Sequence, residues 1–189
     1  LTLLAASALA APALAQQQAA RPDAALVEKY VQSMWAKATP EWVQRNTQDE
    51  TQKICSATLN QPDDAQFKAI LAREKAAVVM PADGKVIGDW KKGRQVAQRG
   101  TGGQFSDAPG TYQGGNCYAC HQLAKKEVAY GTIGPSLQHF GKVRGADEET
   151  IKYVYDKIYN SNAFSACTNM PRFGLHNWLT PEQITHIVA

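Results

Sequence analysis

The residues with the most specific chemistry form one pentapeptide, Cys117-Tyr118-Ala119-Cys120-His121. Two thiols about one helical turn apart can reach the two vinyl groups on one edge of a porphyrin, and the adjacent imidazole can then point toward the iron. The C-x-x-C-H spacing therefore predicts one covalently attached haem c, bound through Cys117 and Cys120, with His121 as an axial ligand of the iron.

The same cysteine pair has two other possible chemistries. A thioredoxin-like redox pair would follow a strand within a βαβ pattern, whereas a loop with six glycines, residues 100–116, precedes Cys117. A zinc site would need two more ligands at close spacing, and the sequence offers no such pair. Haem attachment is therefore the favoured interpretation.

An iron with six ligands needs a second axial group. The candidates are Met34, Met80, Met170, His139, His176 and His186. Met170 is favoured because Pro171 follows it in a loop between two predicted helices, where proline restricts the backbone that carries the thioether. The other two methionines lie in or beside apolar helical stripes, which is typical of packing. The histidines stay open as alternatives.

The dipeptide Gly134-Pro135 follows the haem motif at short distance. The carbonyl of Pro135 can accept the second imidazole proton of His121, which would fix the tautomer and strengthen the ligand. Gly-Pro also occurs in plain turns, so that interpretation stays open.

The first residues predict the compartment. Residues 1–15 read LTLLAASALAAPALA, without charge, and end in Ala13-Leu14-Ala15, small residues at the positions a signal peptidase needs. The run is shorter than the about 20 residues of a membrane span. We expect a partial, cleaved signal peptide at 1–15, a mature chain from Gln16 and a periplasmic location.

The remaining cysteines are Cys55 and Cys167. In an oxidising compartment the two are predicted to pair. Such a bridge would tie the Met170 loop to the N-terminal part of the chain. Two free buried thiols, or a functional redox pair, are the alternatives.

The apolar patterning predicts an all-α fold, with no alternating strand pattern of useful length. Helices are predicted after Asp23, after Pro62, from Trp90, over 147–160 and after the capping box that begins at Thr180. Pro40 is predicted to stop the first helix, and the second is predicted to run to Val79. A turn at 81–84 is a plausible boundary, and the last helix is expected to be cut short at Ala189.

The charge is unevenly distributed. The net charge of +3 is too weak to argue for nucleic acid, but residues 85–144 carry 9 basic and 3 acidic side chains. This segment could form a docking surface for an acidic partner, or its lysines could be scattered over solvent-exposed positions. The basic residues considered are Lys91, Lys92, Lys125, Lys126, Lys142 and Arg144.

The order of C-x-x-C-H, Gly-Pro and a Met-Pro loop before a terminal helix resembles class I cytochromes c. Four segments resemble more closely the SoxX family, the monohaem subunits of the SoxAX complexes of bacterial thiosulfate oxidation. These segments read GDWKKGRQVA, GNCYACHQ, GTIGPSL and CTNMPRFG. The likeness covers about residues 85–189, which would form the cytochrome c domain after a helical extension at 16–84.

This resemblance implies a specific role. Cys117 and Cys120 would bind the haem, and His121 and Met170 would be the axial ligands. The chain would form a heterodimer with the SoxA cytochrome subunit, which carries the sulfur chemistry of an L-cysteine S-thiosulfotransferase. The complex couples thiosulfate oxidatively to a cysteine of the sulfur-carrier protein, and this subunit would pass electrons to a downstream cytochrome. No catalytic nucleophile, nucleic-acid partner or membrane span is expected on this chain.

Two other functions remain open. The chain could be a different periplasmic class I cytochrome c, or a haem enzyme or gas-binding module with an open iron position. The latter would need a distal pocket, for which Arg172 and His176 are near enough in sequence to Met170.

Overall fold

The computed structural model describes residues 22–108 and 110–189, so the predicted signal peptide at 1–15 and the start of the mature chain lie outside the described residues. The helices are α1 (Ala24–Met34), α2 (Pro40–Asn46), α3 (Glu50–Ala57), α4 (Asp64–Ala76), α5 (Trp90–Gln98), α6 (Phe140–Arg144), α7 (Glu148–Tyr159) and α8 (Pro181–Val188), with 3₁₀ turns at Cys117–Ala119 and Ser161–Ala163. Strands are missing from both described ranges, which confirms the all-α prediction. Each of these helices falls short of the length and apolar character that crossing a bilayer requires.

Side-chain caps fix the start of most of these helices. Asp23 accepts a hydrogen bond from the Leu26 amide at 2.8 Å, and Asp63 and Thr180 begin α4 and α8 with complete capping boxes. These caps satisfy amides that have no partner inside the helix. The helix starts predicted at these three positions are confirmed.

Two sequence expectations about helix ends were wrong, and some short helices were missed. Helix α1 ends at Met34, and Pro40 starts α2 instead of stopping α1, because proline at the first helical position loses no hydrogen bond. Helix α4 ends at Ala76 and not at Val79. Helices α2, α3 and α6 were not predicted.

The described part of the chain divides into two compact units, with the boundary between Thr47 and Gln48: the first ends at residue 47, and the second covers residues 48–189. In the first unit, the predicted apolar stripe of α1 is exposed: Leu26, Tyr30 and Met34 are each more than half accessible. The division falls between Thr47 and Gln48, whereas the sequence suggested a boundary at the turn before residue 85. Helices α3 and α4 therefore belong to the same unit as residues 85–189.

The core of the second unit lies between α5, α7 and α8. Its buried side chains are Val96, Tyr155, Tyr159, Leu179 and Ile184. Burying one such side chain completely stabilises a fold by about 1.5–3 kcal/mol. The segment after α4 joins this core, because the Tyr155 hydroxyl donates to the Val79 carbonyl at 2.8 Å and Met80 packs against the cluster.

Helices α5 and α8 approach each other at a glycine. A Cβ atom on Gly93 would lie 1.8 Å from the carbonyl oxygen of His186. The same crossing is held by two hydrogen bonds, from the Gly88 amide to the Thr185 carbonyl and from the Asp89 amide to Nδ1 of His186, both 2.9 Å long. Only a residue without a side chain fits at position 93.

We therefore expect Gly93→Ala to lower the free energy of unfolding by about 1–3 kcal/mol, because the added methyl group forces the two helices apart. Urea denaturation measures the change. Gln95→Ala, on the exposed side of α5, is the matched control and should change stability by about 0.5 kcal/mol or less. Equal stability of Gly93→Ala and the wild-type protein would contradict the close crossing.

Candidate haem-binding site

The C-x-x-C-H motif forms a tight turn. Asn116 adopts a left-handed conformation with φ 46°, and the 3₁₀ turn Cys117–Ala119 follows it. The amides of Cys120 and His121 both donate to the Cys117 carbonyl, at 3.1 and 2.9 Å. The turn brings both thiols and the imidazole to the wall of one cavity, which is the arrangement the spacing predicted.

The chain just before the motif is tied to the helical core. The Gly115 amide donates to the Val96 carbonyl at 2.8 Å, and the Asn116 amide donates to the Arg99 carbonyl at 3.0 Å. The indole N–H of Trp178 donates to the Gly114 carbonyl at 2.9 Å. The end of the glycine-rich loop is thus anchored to α5 and to the segment before α8, and this fixes where the thiols lie.

The imidazole of His121 is held in one orientation. Its Nδ1 lies 2.7 Å from the carbonyl oxygen of Pro135, so the predicted hydrogen bond is present. A carbonyl only accepts, so in the neutral imidazole Nδ1 carries the proton and Nε2 keeps its lone pair. A Cβ on Gly134 would come within 2.2 Å of the ring, which shows how closely the backbone covers it. An Nε2 atom with a free lone pair and a fixed orientation can act as a metal ligand.

The cavity has a volume of about 2030 Å³, larger than the about 300–1,000 Å³ of most small-molecule pockets. Apolar side chains of α6, of α7 and of the neighbouring loops form much of its wall: Ile133, Leu137, Phe140, Ile151, Val154, Ile158 and Phe173. An apolar cavity of this size, with two thiols and an imidazole on its wall, fits a large flat macrocycle attached through thioethers.

Of the six candidate second ligands, the structure places Met170 and His176 on the cavity wall. Met34 is exposed on α1, in the other compact unit. Met80 packs against the core, His139 is exposed at the start of α6, and His186 accepts the Asp89 amide at the α5–α8 crossing. That Met170 binds the iron stays a prediction. Among the other five candidates for the second axial ligand, the structure places only His176 on the cavity wall.

The thiols of the motif are free, and burial raises the pKa of the Cys117 thiol to about 11. Such a thiol is protonated at neutral pH, unlike the activated thiolate of a C-x-x-C oxidoreductase, whose pKa is lowered. This electrostatic setting disfavours the thioredoxin-like interpretation.

The loop that carries Met170 is fixed from inside the domain. The hydroxyl of Ser161, in the 3₁₀ turn after α7, donates to the Met170 carbonyl. The amides of Gly174 and Leu175 both donate to the Tyr159 carbonyl, at 3.0 and 3.1 Å. The loop therefore lies against the end of α7 at Met170 itself and again four and five residues after it.

A buried charge network, which the sequence did not predict, holds the same loop from α3 and α4. The guanidinium of Arg172 donates to Asp49 at 2.6 Å and to Glu74 at 3.2 Å. Glu74 also accepts hydrogen bonds from the Thr51 hydroxyl and from the Asn160 amide group. One signal could have found Glu74: it lies four residues after Ile70, on the buried side of α4.

Both carboxylates of the network are ionised at neutral pH. Burial alone would raise the pKa of Glu74, but the hydrogen bonds from Thr51 and Asn160 and the charge of Arg172 hold that pKa below its usual range. Burial also raises the pKa of Asp49. The hydrogen bonds from the Gln52 amide and Arg172, together with the charge of Arg172, lower that pKa by more, so it lies below its usual value. Arg172 is therefore paired with two negative charges.

The structure contains the predicted disulfide between Cys55 on α3 and Cys167, three residues before Met170. The two cysteines are 112 residues apart in sequence. Both are buried and pack with Ile70 of α4 in a second small cluster. The bridge connects the Met170 loop to α3 covalently, where the Arg172 network connects it electrostatically.

Replacing both bridge cysteines by serine is expected to lower the free energy of unfolding by about 4–5 kcal/mol, since the closed loop is long. Urea denaturation of the variant and of the wild-type protein, with and without a thiol reductant, measures this. The reductant should lower only the stability of the wild-type protein. A variant as stable as the oxidised wild-type protein would show that the bridge does not hold the fold.

Comparison with known proteins gives two findings. The cytochrome c family profile matches residues 105–189, which include the C-x-x-C-H turn, Pro135 and Met170. An uncharacterized lipoprotein of Aquifex aeolicus (strain VF5) is 39% identical over 145 residues, which cover 75% of this chain and 68% of the relative. That match is longer than the segment 105–189, so the likeness also includes residues outside it.

Proposed function

The chain belongs to the cytochrome c family, and we propose on that premise that it is a monohaem electron carrier in which His121 and Met170 are the axial ligands. One observation carries the proposal: the proton on Nδ1 of His121 is bound to the Pro135 carbonyl, which leaves Nε2 available on a cavity that Cys117 and Cys120 also line.

The residues on the cavity wall fit one haem c. Cys117 and Cys120 would form the two thioethers, and the sequence has this motif once. When bound, the haem supplies one-electron chemistry, in which its iron alternates between the ferrous and ferric states.

The protein side chains determine whether the iron favours the ferrous or the ferric state. The soft thioether of Met170 stabilises ferrous iron and so raises the reduction potential. The apolar side chains of α7 act in the same direction, because a poorly solvated site disfavours the more highly charged state. With His121 and Met170 both bound to the iron, no position would remain there for a substrate.

An open iron site is the competing function, and the surroundings of Arg172 argue against it. A distal arginine would have to point into the cavity with a free guanidinium, but the Arg172 guanidinium is buried and paired with Asp49 and Glu74. Burial and the charge of Arg172 lower the pKa of His176, so a neutral imidazole on the cavity wall remains the alternative ligand.

The test is Met170→Ala. We expect the weak red charge-transfer band of the ferric protein to disappear and the reduction potential to fall by on the order of 0.1 V, because a soft ligand is lost. Met80→Ala is the matched control: it should keep the band and the potential while losing about 1–3 kcal/mol of stability. Carbon monoxide binding to the untreated ferrous wild-type protein would contradict the proposal and favour the open site.

We further propose that the chain acts as the SoxX subunit of a periplasmic SoxAX complex. Three of the four resembling segments supply parts of the site. GNCYACHQ contains the C-x-x-C-H motif, GTIGPSL contains Pro135, and CTNMPRFG contains Cys167, Met170 and Arg172. The Aquifex relative is described as a lipoprotein, and this supports a function of the present chain outside the cytoplasm. SoxA would be the partner subunit, with the sulfur-carrier protein and a downstream cytochrome as transient partners.

Basic side chains at the cavity supply a surface for such partners. Lys125, Lys126 and Arg144 line the cavity next to the haem motif, and both lysines are exposed. Positive charge there would steer an acidic partner toward the site, more weakly as salt increases.

Purification from the native host at low salt should therefore recover a second c-type cytochrome with this chain. The double variant Lys125→Glu/Lys126→Glu is expected to retain several-fold less of that cytochrome. Lys53→Glu/Lys68→Glu makes the same charge change at exposed positions of α3 and α4 and should retain it. The absence of any second haem-staining protein would contradict the heterodimer.

A further inference from the structure

We propose that α3 and α4 form a brace for the axial methionine, and that Glu74 is a positioning residue that holds the Met170 loop through Arg172 and Asn160. This inference rests on the proposed function, in which Met170 is a ligand of the iron. It gives the segment before residue 85 a role in the haem site, although that segment lies outside the residues that match the cytochrome c family profile.

The brace contacts the loop on both sides of the methionine. Three residues before Met170, Cys167 is bonded to Cys55 of α3. Two residues after it, Arg172 is bound by Asp49, which caps α3, and by Glu74 of α4. A short segment attached at both ends to the same pair of helices has little freedom to carry its side chain away from the cavity.

Glu74 is the centre of these contacts. One carboxylate oxygen accepts from Arg172 at 3.2 Å and from Nδ2 of Asn160 at 2.8 Å, while the other accepts from the Thr51 hydroxyl. The same Nδ2 also donates to the Glu74 backbone carbonyl at 2.9 Å. Glu74 therefore fixes its own helix, the end of α7 and the Met170 loop relative to one another.

Asn160 connects Glu74 to the methionine through the next residue in the sequence. The next residue, Ser161, donates from its hydroxyl to the Met170 carbonyl. Glu74 thus reaches the Met170 backbone by two routes, through Asn160 and Ser161 on one side and through Arg172 on the other. Both routes act on the backbone that carries the thioether.

The burial of the pair makes this arrangement sensitive to a single change. The side chains of Arg172 and Glu74 are each only 5% exposed. Removing the charge of Glu74 leaves the buried Arg172 with only the half-exposed Asp49 as its partner, and a buried charge that loses part of its compensation is unfavourable. The Arg172 side chain would then move toward solvent, and the backbone next to Met170 would move with it.

A neutral thioether is a weak ligand, so the fraction of time that Met170 is bound depends on how well its loop is positioned. Free imidazole competes for the same place on ferric iron, and its apparent affinity rises with the population of the displaced loop. Imidazole titration of the native ferric holoprotein therefore measures the brace directly, far from conditions that unfold the chain.

We expect Glu74→Gln to bind imidazole about tenfold more tightly than the wild-type protein, equivalent to about 1.4 kcal/mol of lost loop positioning. Glu50→Gln is the matched control. It removes the same charge from α3, where Glu50 is 72% exposed and paired with Arg73 instead of Arg172. The control should bind imidazole with wild-type affinity.

A second variant keeps the test decisive if Glu74→Gln fails to fold. Asp49→Asn removes the outer carboxylate opposite Arg172, and asparagine still caps a helix start, so α3 is retained. Its imidazole affinity should rise about threefold, since Asp49 is half-exposed and, apart from a longer approach of 4.0 Å to His176, reaches the loop through Arg172. Circular dichroism and the absorption band of the haem check that the fold and its covalent attachment persist.

The outcomes separate this inference from the proposed function. A wild-type protein without the red charge-transfer band would overturn the assignment of Met170, and the brace with it. A wild-type protein that has the band, with Asp49→Asn and any folded Glu74→Gln protein within twofold of its imidazole affinity, would overturn the brace and leave the electron carrier intact. A lower melting temperature without tighter imidazole binding would show that the network only stabilises the fold.

Discussion

The hydrogen bond between Nδ1 of His121 and the Pro135 carbonyl determines the chemistry of the site, because it decides which ring nitrogen keeps its lone pair. Its geometry depends on the backbone. The Gly134 amide donates to the Cys120 carbonyl at 2.9 Å, which holds the Gly-Pro segment against the haem motif. If that segment shifted, the imidazole would lose its orientation, and the two thiols alone would define only where a porphyrin is attached and not how its iron is ligated.

The site has a histidine side, formed by the residues that position His121, and a methionine side, formed by the residues that position Met170. The two sides differ in how far apart their partners lie in the sequence. On the histidine side, the partners are close in sequence: His121 and Pro135 are 14 residues apart. On the methionine side they are distant, since Arg172 binds Glu74 across 98 residues and Cys167 binds Cys55 across 112. The histidine side can therefore form within one loop, whereas the methionine side requires that α3 and α4 have already packed against the end of α7.

This difference also explains what the sequence could predict. The C-x-x-C-H turn, the Pro135 contact and the helix starts at Asp63 and Thr180 depend on neighbours along the chain, and the structure contains them. The Cys55–Cys167 pair followed from counting cysteines in an oxidising compartment. The spacing of Glu74 from Ile70 could have placed Glu74 on the buried side of α4, but no local pattern predicts its pairing with Arg172, because the two residues are 98 positions apart. Helix α3 was missed because eight residues are too few to show a clear apolar period.

There is a physical reason why charged groups, and not apolar ones, hold the loop on the methionine side. An apolar contact would hold the loop with less desolvation cost, since buried ion pairs add little net stability. Such a contact is tolerant of rotation and sliding, however, whereas a guanidinium bound by Glu74 and Asp49 accepts only a narrow range of positions. Electron transfer is fast when the ligands of the metal stay in place as its charge changes. In the proposed electron carrier, a network that contributes modestly to stability but fixes the backbone beside Met170 would meet that requirement. It would also give a role to the close attachment of α3 and α4 to the cytochrome c domain.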